Sequence, residues 1–150
     1  MNEMIVNKFK AIREYELNMT QIELAKILGV HSSTISGWEN RKDWIPIKRL
    51  IEFANLFNYS LDYIFGLVHK NVLFDKIQID LPSLAKNLKT LRIMNNMTQE
   101  QVAVKLKTNQ NNYTHYETGI NIIPTSFLYD LTKIYKPFSI DELFNRKRIK

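Results

Sequence analysis

Gln110, Asn111, Thr114 and His115 are hydrogen-bonding residues spaced to share one side of a helix, while Tyr113 and Tyr116 take the other. An earlier stretch repeats the layout, with Ser32, Ser33, Ser36, Gly37 and Asn40 outward and Ile35 and Trp38 inward. A helix face that is merely solvated is normally rich in Glu and Lys. A face of amides and hydroxyls suits hydrogen bonding to base edges, and Gln or Asn can bond adenine through two atoms. Other chemistries lack their residues. There is no cysteine, hence no disulfide and no thiolate metal site. His31, His69 and His115 stand without acids or ligands at useful spacing, so no metal, cofactor or acid–base site is expected. Trp38, Trp44, Tyr113 and Tyr116 read as core aromatics rather than stacking platforms.

The elements that would position these residues occur twice. Shifting the 150-residue chain by 78 places Met19-Thr20-Gln21 on Met97-Thr98-Gln99 and aligns Ala25 with Ala103, Leu28 with Leu106 and Glu39 with Glu117. Ile45-Pro46 then meets Ile123-Pro124. Arg13 meets Arg92 only if the first copy carries one extra residue before Met19, and Ser60 and Asp62 meet Ser139 and Asp141 with one extra in the second. A repeat of this length makes each copy a small structural unit.

Each copy reads as short helices. "FKAIREYEL" and "LAKNLKTLRIM" have apolar residues at helical spacing, as do Ile22, Ala25 and Leu28 in "QIELAKIL". Thr20 with Glu23, and Thr98 with Gln101, have capping-box spacing, so Met and Thr of each Met-Thr-Gln start a helix. Gln21 and Gln99 then sit at the first helical position, with side chains expected to point outward. Gly29 suits a left-handed helix end. Pro46 and Pro124 precede a fourth helix, and "SLDYIF" and "SIDELF" give a fifth. Ile77 and Ile79 alternate in a strand-like way.

Charge is suggestive only. The net charge is +6, but residues 1–70 hold a balance of +1 and residues 71–150 one of +5, most of it from "RKRIK" at 146–150. That run reads as a solvated basic tail. No apolar run approaches the ~18 residues that a membrane helix needs, and no signal-peptide core is visible, so a cytoplasmic, nucleoid-associated protein with no membrane partner is expected.

With these motifs in place, both halves resemble the lambda-repressor-like (Cro-repressor, xenobiotic-response-element or XRE) helix-turn-helix family. The resemblance rests on Arg13, "TQIELAKILGV", "TISGWEN", Pro46 and "SLDYIFG", and on Arg92, "TQEQVAVKL", "YTHYETG", Pro124 and "SIDELF". It implies an all-α chain of two tandem five-helix domains, each with its third helix in the DNA major groove. The expected layout is an N-terminal domain at 1–66, a linker at 67–81, a C-terminal domain at 82–145 and the tail at 146–150. Recognition helices fall at about 32–40 and 110–118. The resemblance makes Gln21, Ser32, Ser33, Ser36 and Gly37 base-facing in the first copy, and Gln99, Gln110, Asn111, Thr114 and His115 in the second. It gives phosphate contacts to Asn40, Arg41, Lys42, Thr118, Gly119 and Asn121. It also implies an ion pair in each copy, Arg13 with Glu39 and Arg92 with Glu117, tying helix 1 to the end of helix 3.

Two departures distinguish the copies: Gly37 stands where a reading side chain is expected, and Lys107 replaces the turn glycine. One copy would grip phosphates and the other read bases. The expected function is a non-enzymatic, sequence-specific regulator of double-stranded DNA, of repressor type, acting as a pseudo-dimeric monomer or a homodimer. A linker of ~16 residues, up to roughly 50 Å extended, would let the heads reach adjacent half-sites. The alternative is a protein-interaction or antitoxin-like module in which one copy binds a protein partner.

Overall fold

A computed structural model describes residues 8–149, which divide into two compact units between Leu73 and Phe74. Expectations that fall on residues 1–7 or on Lys150 lie outside the described residues. All regular elements among the described residues are helical, five in each unit, with one isolated bridge between Phe74 and Arg148.

In the first unit α1 covers residues 8–16, beginning as an α-helix and ending in a π turn at Ile12–Glu16. It is followed by α2 (Gln21–Leu28), α3 (Ser32–Glu39), α4 (Ile47–Phe57) and α5 (Leu61–Ile64). The second unit has α6 (Leu81–Met94), α7 (Gln99–Lys105), α8 (Gln110–Glu117), α9 (Thr125–Ile134) and α10 (Ile140–Leu143). The π turn explains the one-residue offset of the repeat. A π turn holds one more residue than an α turn, and Leu17 N–H reaches back five residues to the Ile12 carbonyl. The extra residue between Arg13 and Met19 is absorbed there, and Arg13 keeps the place that Arg92 has in α6.

Helix starts follow the capping logic. Thr20 and Thr98 accept from Glu23 and Gln101 N–H, whose side chains return to the cap amides. Asp80, Asn109 and Ser139 cap α6, α8 and α10. Gly29 ends α2 with a φ of 69°, and Lys107 takes the same left-handed turn with a φ of 59°. For a lysine that conformation costs about 1 kcal/mol that glycine avoids. The lysine substitution therefore leaves the turn in place.

In the first core Phe9, Ile12, Leu24, Leu28, Ile35, Leu50 and Phe53 are buried, the Phe9 and Phe53 rings lying 4.8 Å apart. The second buries Leu84, Leu88, Val102, Tyr113, Leu128, Leu131 and Tyr135. Ile22, expected inward, is 60% exposed. Leu24, Ala25 and Leu28 form the buried stripe of α2, and Ile22 lies outside it. Ile77 is buried and Ile79 exposed, but neither lies in a strand.

Lys147, Arg148 and Ile149 are exposed as expected of a solvated tail, but Arg146 is buried, and both ends of the segment joining the units are fastened. Asn71 is fastened in the first unit: its Oδ1 accepts from Ser60 N–H at 2.8 Å and its Nδ2 donates to the Asn58 carbonyl at 3.0 Å. Phe74 and Asp75 are fastened in the second. Asp75 N–H donates to the Lys147 carbonyl and its Oδ1 accepts from Lys147 N–H at 3.0 Å. Arg146 is buried; it bonds Asp141 at 2.8 Å and the Asp75 carbonyl at 2.9 Å, with its guanidinium over the Phe74 ring. A basic run reads as solvated because charge costs too much to bury alone, and here Asp141 supplies the counter-charge.

Because Asp141 is fully buried, Arg146→Ala leaves a carboxylate without its counter-ion. The expected loss is about 3–5 kcal/mol from the second unit. Chemical unfolding of the full chain measures it; a loss below about 1 kcal/mol contradicts the clasp.

Candidate nucleic-acid interface

The interface is built on one polar knot per unit. In the first, Arg13 grips Glu39 through two parallel bonds of 2.6 and 2.8 Å, and its third nitrogen reaches the Met19 carbonyl at 2.7 Å. In the second, Arg92 grips Glu117 at 2.8 and 3.0 Å and the Met97 carbonyl at 2.9 Å. Two-point Arg–carboxylate pairs fix orientation as well as distance. Each ties the first helix of its unit, the approach to the second and the end of the third, setting the angle at which α3 and α8 are presented.

The knot also takes in the glutamines. Gln21 Nε2 donates to Glu39 at 3.0 Å, and Gln99 Nε2 donates to Glu117 at 3.2 Å. Both glutamines are half-buried rather than pointing freely outward. The carboxylates draw them in, because a buried anion gains from each further N–H. In the second unit the chain continues, with Thr114 Oγ1 donating to Gln99 Oε1 at 2.9 Å. Tyr113 extends the knot inward: its buried hydroxyl lies 3.3 Å from that of Tyr135.

These contacts shift the charges involved. Arg13 and Arg92 are held above the usual arginine value, chiefly by hydrogen bonding to their carboxylates. Burial alone would raise the Glu117 carboxyl, but its polar neighbours, Arg92 foremost with Gln99 beside it, outweigh burial and leave its pKa lowered. Burial pushes Tyr135 up to about 12.

The expected reading residues divide by unit. On α8, Gln110 and Asn111 are exposed in the first turn. Thr114 is half-buried, its hydroxyl also bonded to the Gln110 carbonyl, and His115 is half-exposed. Thr118 and Asn121 are exposed, and Gly119 turns the chain with a φ of 77°. On α3, Ser32 and Ser33 are exposed, while Ser36 accepts from Asn40 Nδ2 at 3.0 Å. Arg41 and Lys42 are exposed, and Arg41 takes the left-handed turn that Gly119 takes in the second unit.

Gly37 stands near the end of α3. It is buried, because the following loop folds back and both Lys42 and Asp43 N–H donate to its carbonyl. In the second unit Ile120 and Asn121 N–H bond the His115 carbonyl in the same way. A Cβ at Gly37 would meet only the Asp43 carboxylate, at 3.6 Å, so the position has room for a side chain where the second unit carries His115. Asn109 and Asn112 stand outside the expected set. Asn109 caps α8 by accepting from Asn112 N–H at 2.7 Å, and Asn112 donates to Thr108. An asparagine just ahead of a helix was their legible signal.

A family model described as "Helix-turn-helix" matches residues 9–64, and one described as "Helix-turn-helix domain" matches residues 85–149. The chain belongs to the XRE-type helix-turn-helix family, with two domains in tandem. No curated protein and no solved structure matches it at a significant level. Helix-turn-helix domains point to a DNA-binding regulator. Among the described residues no group of His, Asp and Glu could hold a metal, and no helix is long and apolar enough to cross a membrane.

The lowered Glu117 pKa has a pH signature. A carboxylate whose folded pKa is depressed stabilises the fold above its unfolded value, and the contribution fades as pH falls through the folded value. Glu117→Gln should therefore destabilise strongly at pH 7 and by much less at pH 3. Urea unfolding at the two pH values checks this, and an equal gap at both contradicts the assignment.

Proposed function

We propose that the chain is a sequence-specific regulator of double-stranded DNA, of repressor type, that lays α3 and α8 into the major groove. The observation that carries this reading is the pair of exposed amides Gln110 and Asn111 on the first turn of a helix anchored at its other end by the Arg92–Glu117 pair. The first turn of such a helix is where base contacts are made in this architecture. An α-helix of about 10–12 Å diameter fits a groove about 12 Å wide.

The copies contribute unequally. Ser32 and Ser33 occupy the places of Gln110 and Asn111, with much shorter reach. The first unit instead offers Asn40 and the cationic Arg41 and Lys42 after its recognition helix, groups that hold phosphates whatever the sequence. Thr118, Gly119 and Asn121 are the corresponding, uncharged phosphate contacts of the second unit. Gln21 and Gln99 support the reading helices through Glu39 and Glu117, and Thr114 and His115 form the margin of the α8 face. The recognised duplex should accordingly be asymmetric. A second reading, in which the first unit meets a protein, draws on the exposed Tyr15, Ile22 and Ile27 there.

Gln110→Ala with Asn111→Ala should abolish sequence preference while leaving binding to any duplex at low salt. Loss of one good two-point base contact is worth about 1–3 kcal/mol. Selection from random duplexes with the parent and the double variant checks it. The same enriched motif from both would sink the assignment.

A further inference from the structure

The tether between the two units is two residues long. Asn71 is bonded at both ends of its side-chain amide to the α4–α5 connection. Three residues on, Phe74 pairs with Arg148, and Asp75 is bonded to Lys147 and Arg146. Only Val72 and Leu73 lie between these anchors. Whatever the orientation of each unit, the Cα atoms of Asn71 and Phe74 cannot separate by more than about 11 Å.

From this we infer that residues 72–73 are a spacing device: the two reading helices address one contiguous duplex site whose two elements stand at a fixed separation and phase. The inference rests on the DNA-binding reading above and specifies the geometry of its partner. Two elements five base pairs further apart lie about 17 Å further along the axis and about half a turn around it. A linker of 16 free residues would follow such a change, but two residues between bonded anchors cannot. The gain from linking two binding modules is lost when the connection cannot span both sites. The clasp at Asp75, Arg146 and Lys147 thereby has a second consequence besides stability, because it withdraws residues 74–80 from the tether.

The test uses the full chain and the site that it enriches from random duplexes. Affinity is measured on that site and on the same site with five base pairs inserted between its elements. Both duplexes are also measured with a variant carrying twelve Gly/Ser residues between Val72 and Leu73, which add a root-mean-square reach of about 17–21 Å. The parent should lose about 100-fold or more on the spaced duplex. The lengthened variant should lose less than about 10-fold. A parent indifferent to spacing overturns the inference, as does a lengthened variant that loses as much as the parent. An enriched site with a single element also overturns it, while leaving DNA recognition by one unit standing. No salt-sensitive duplex binding at all removes the DNA reading and this inference together.

Discussion

The arrangement depends on an arginine reaching across each unit to a buried glutamate. Arg13–Glu39 and Arg92–Glu117 are nearly superimposable in chemistry: two bonds to the carboxylate, one to a methionine carbonyl and one glutamine amide drawn in beside them. Four short segments converge on one charge pair. Charges this buried are costly unless nearly all their hydrogen-bonding capacity is met, which limits the geometries available to α3 and α8. No buried side-chain polar atom is left without a partner among the described residues. The π turn shows how strong the constraint is. The first unit has an extra residue between Arg13 and Met19, and the helix distorts locally while the ion pair is kept.

Much of this was legible in the sequence, for local reasons. Caps, the left-handed Gly29 and the prolines before α4 and α9 each act within a few residues, so their spacing alone carried the helix boundaries. The exposed amides of α8 were legible because Tyr113 and Tyr116 fix which side is inward. What was not legible depends on contacts across longer separations. Gln21 and Gln99 look free until Glu39 and Glu117 arrive from 18 residues away. Arg146 reads as tail until Asp141 and the Asp75 carbonyl enclose it, the latter 71 positions distant. A repeat register that pairs Asp141 with Asp62 offered half of that signal, but Leu67 at the place of Arg146 hid the rest.

A single architecture thus carries two surfaces. The knot and the helix starts are common to both units, while the exposed first turns differ: hydroxyls and a following cationic loop in one, amides and an uncharged loop in the other. In the proposed function these surfaces complement each other on one duplex, because phosphate contacts set register and base contacts set identity.

The most direct test of this account is the salt dependence of duplex binding by the full chain. Measured on its enriched duplex between about 50 and 200 mM salt, the logarithm of affinity should fall linearly with the logarithm of salt. Each phosphate neutralised contributes about 0.9 to the slope, so a value of several units is expected. An affinity unchanged across that range would contradict the claim that this chain acts by gripping DNA.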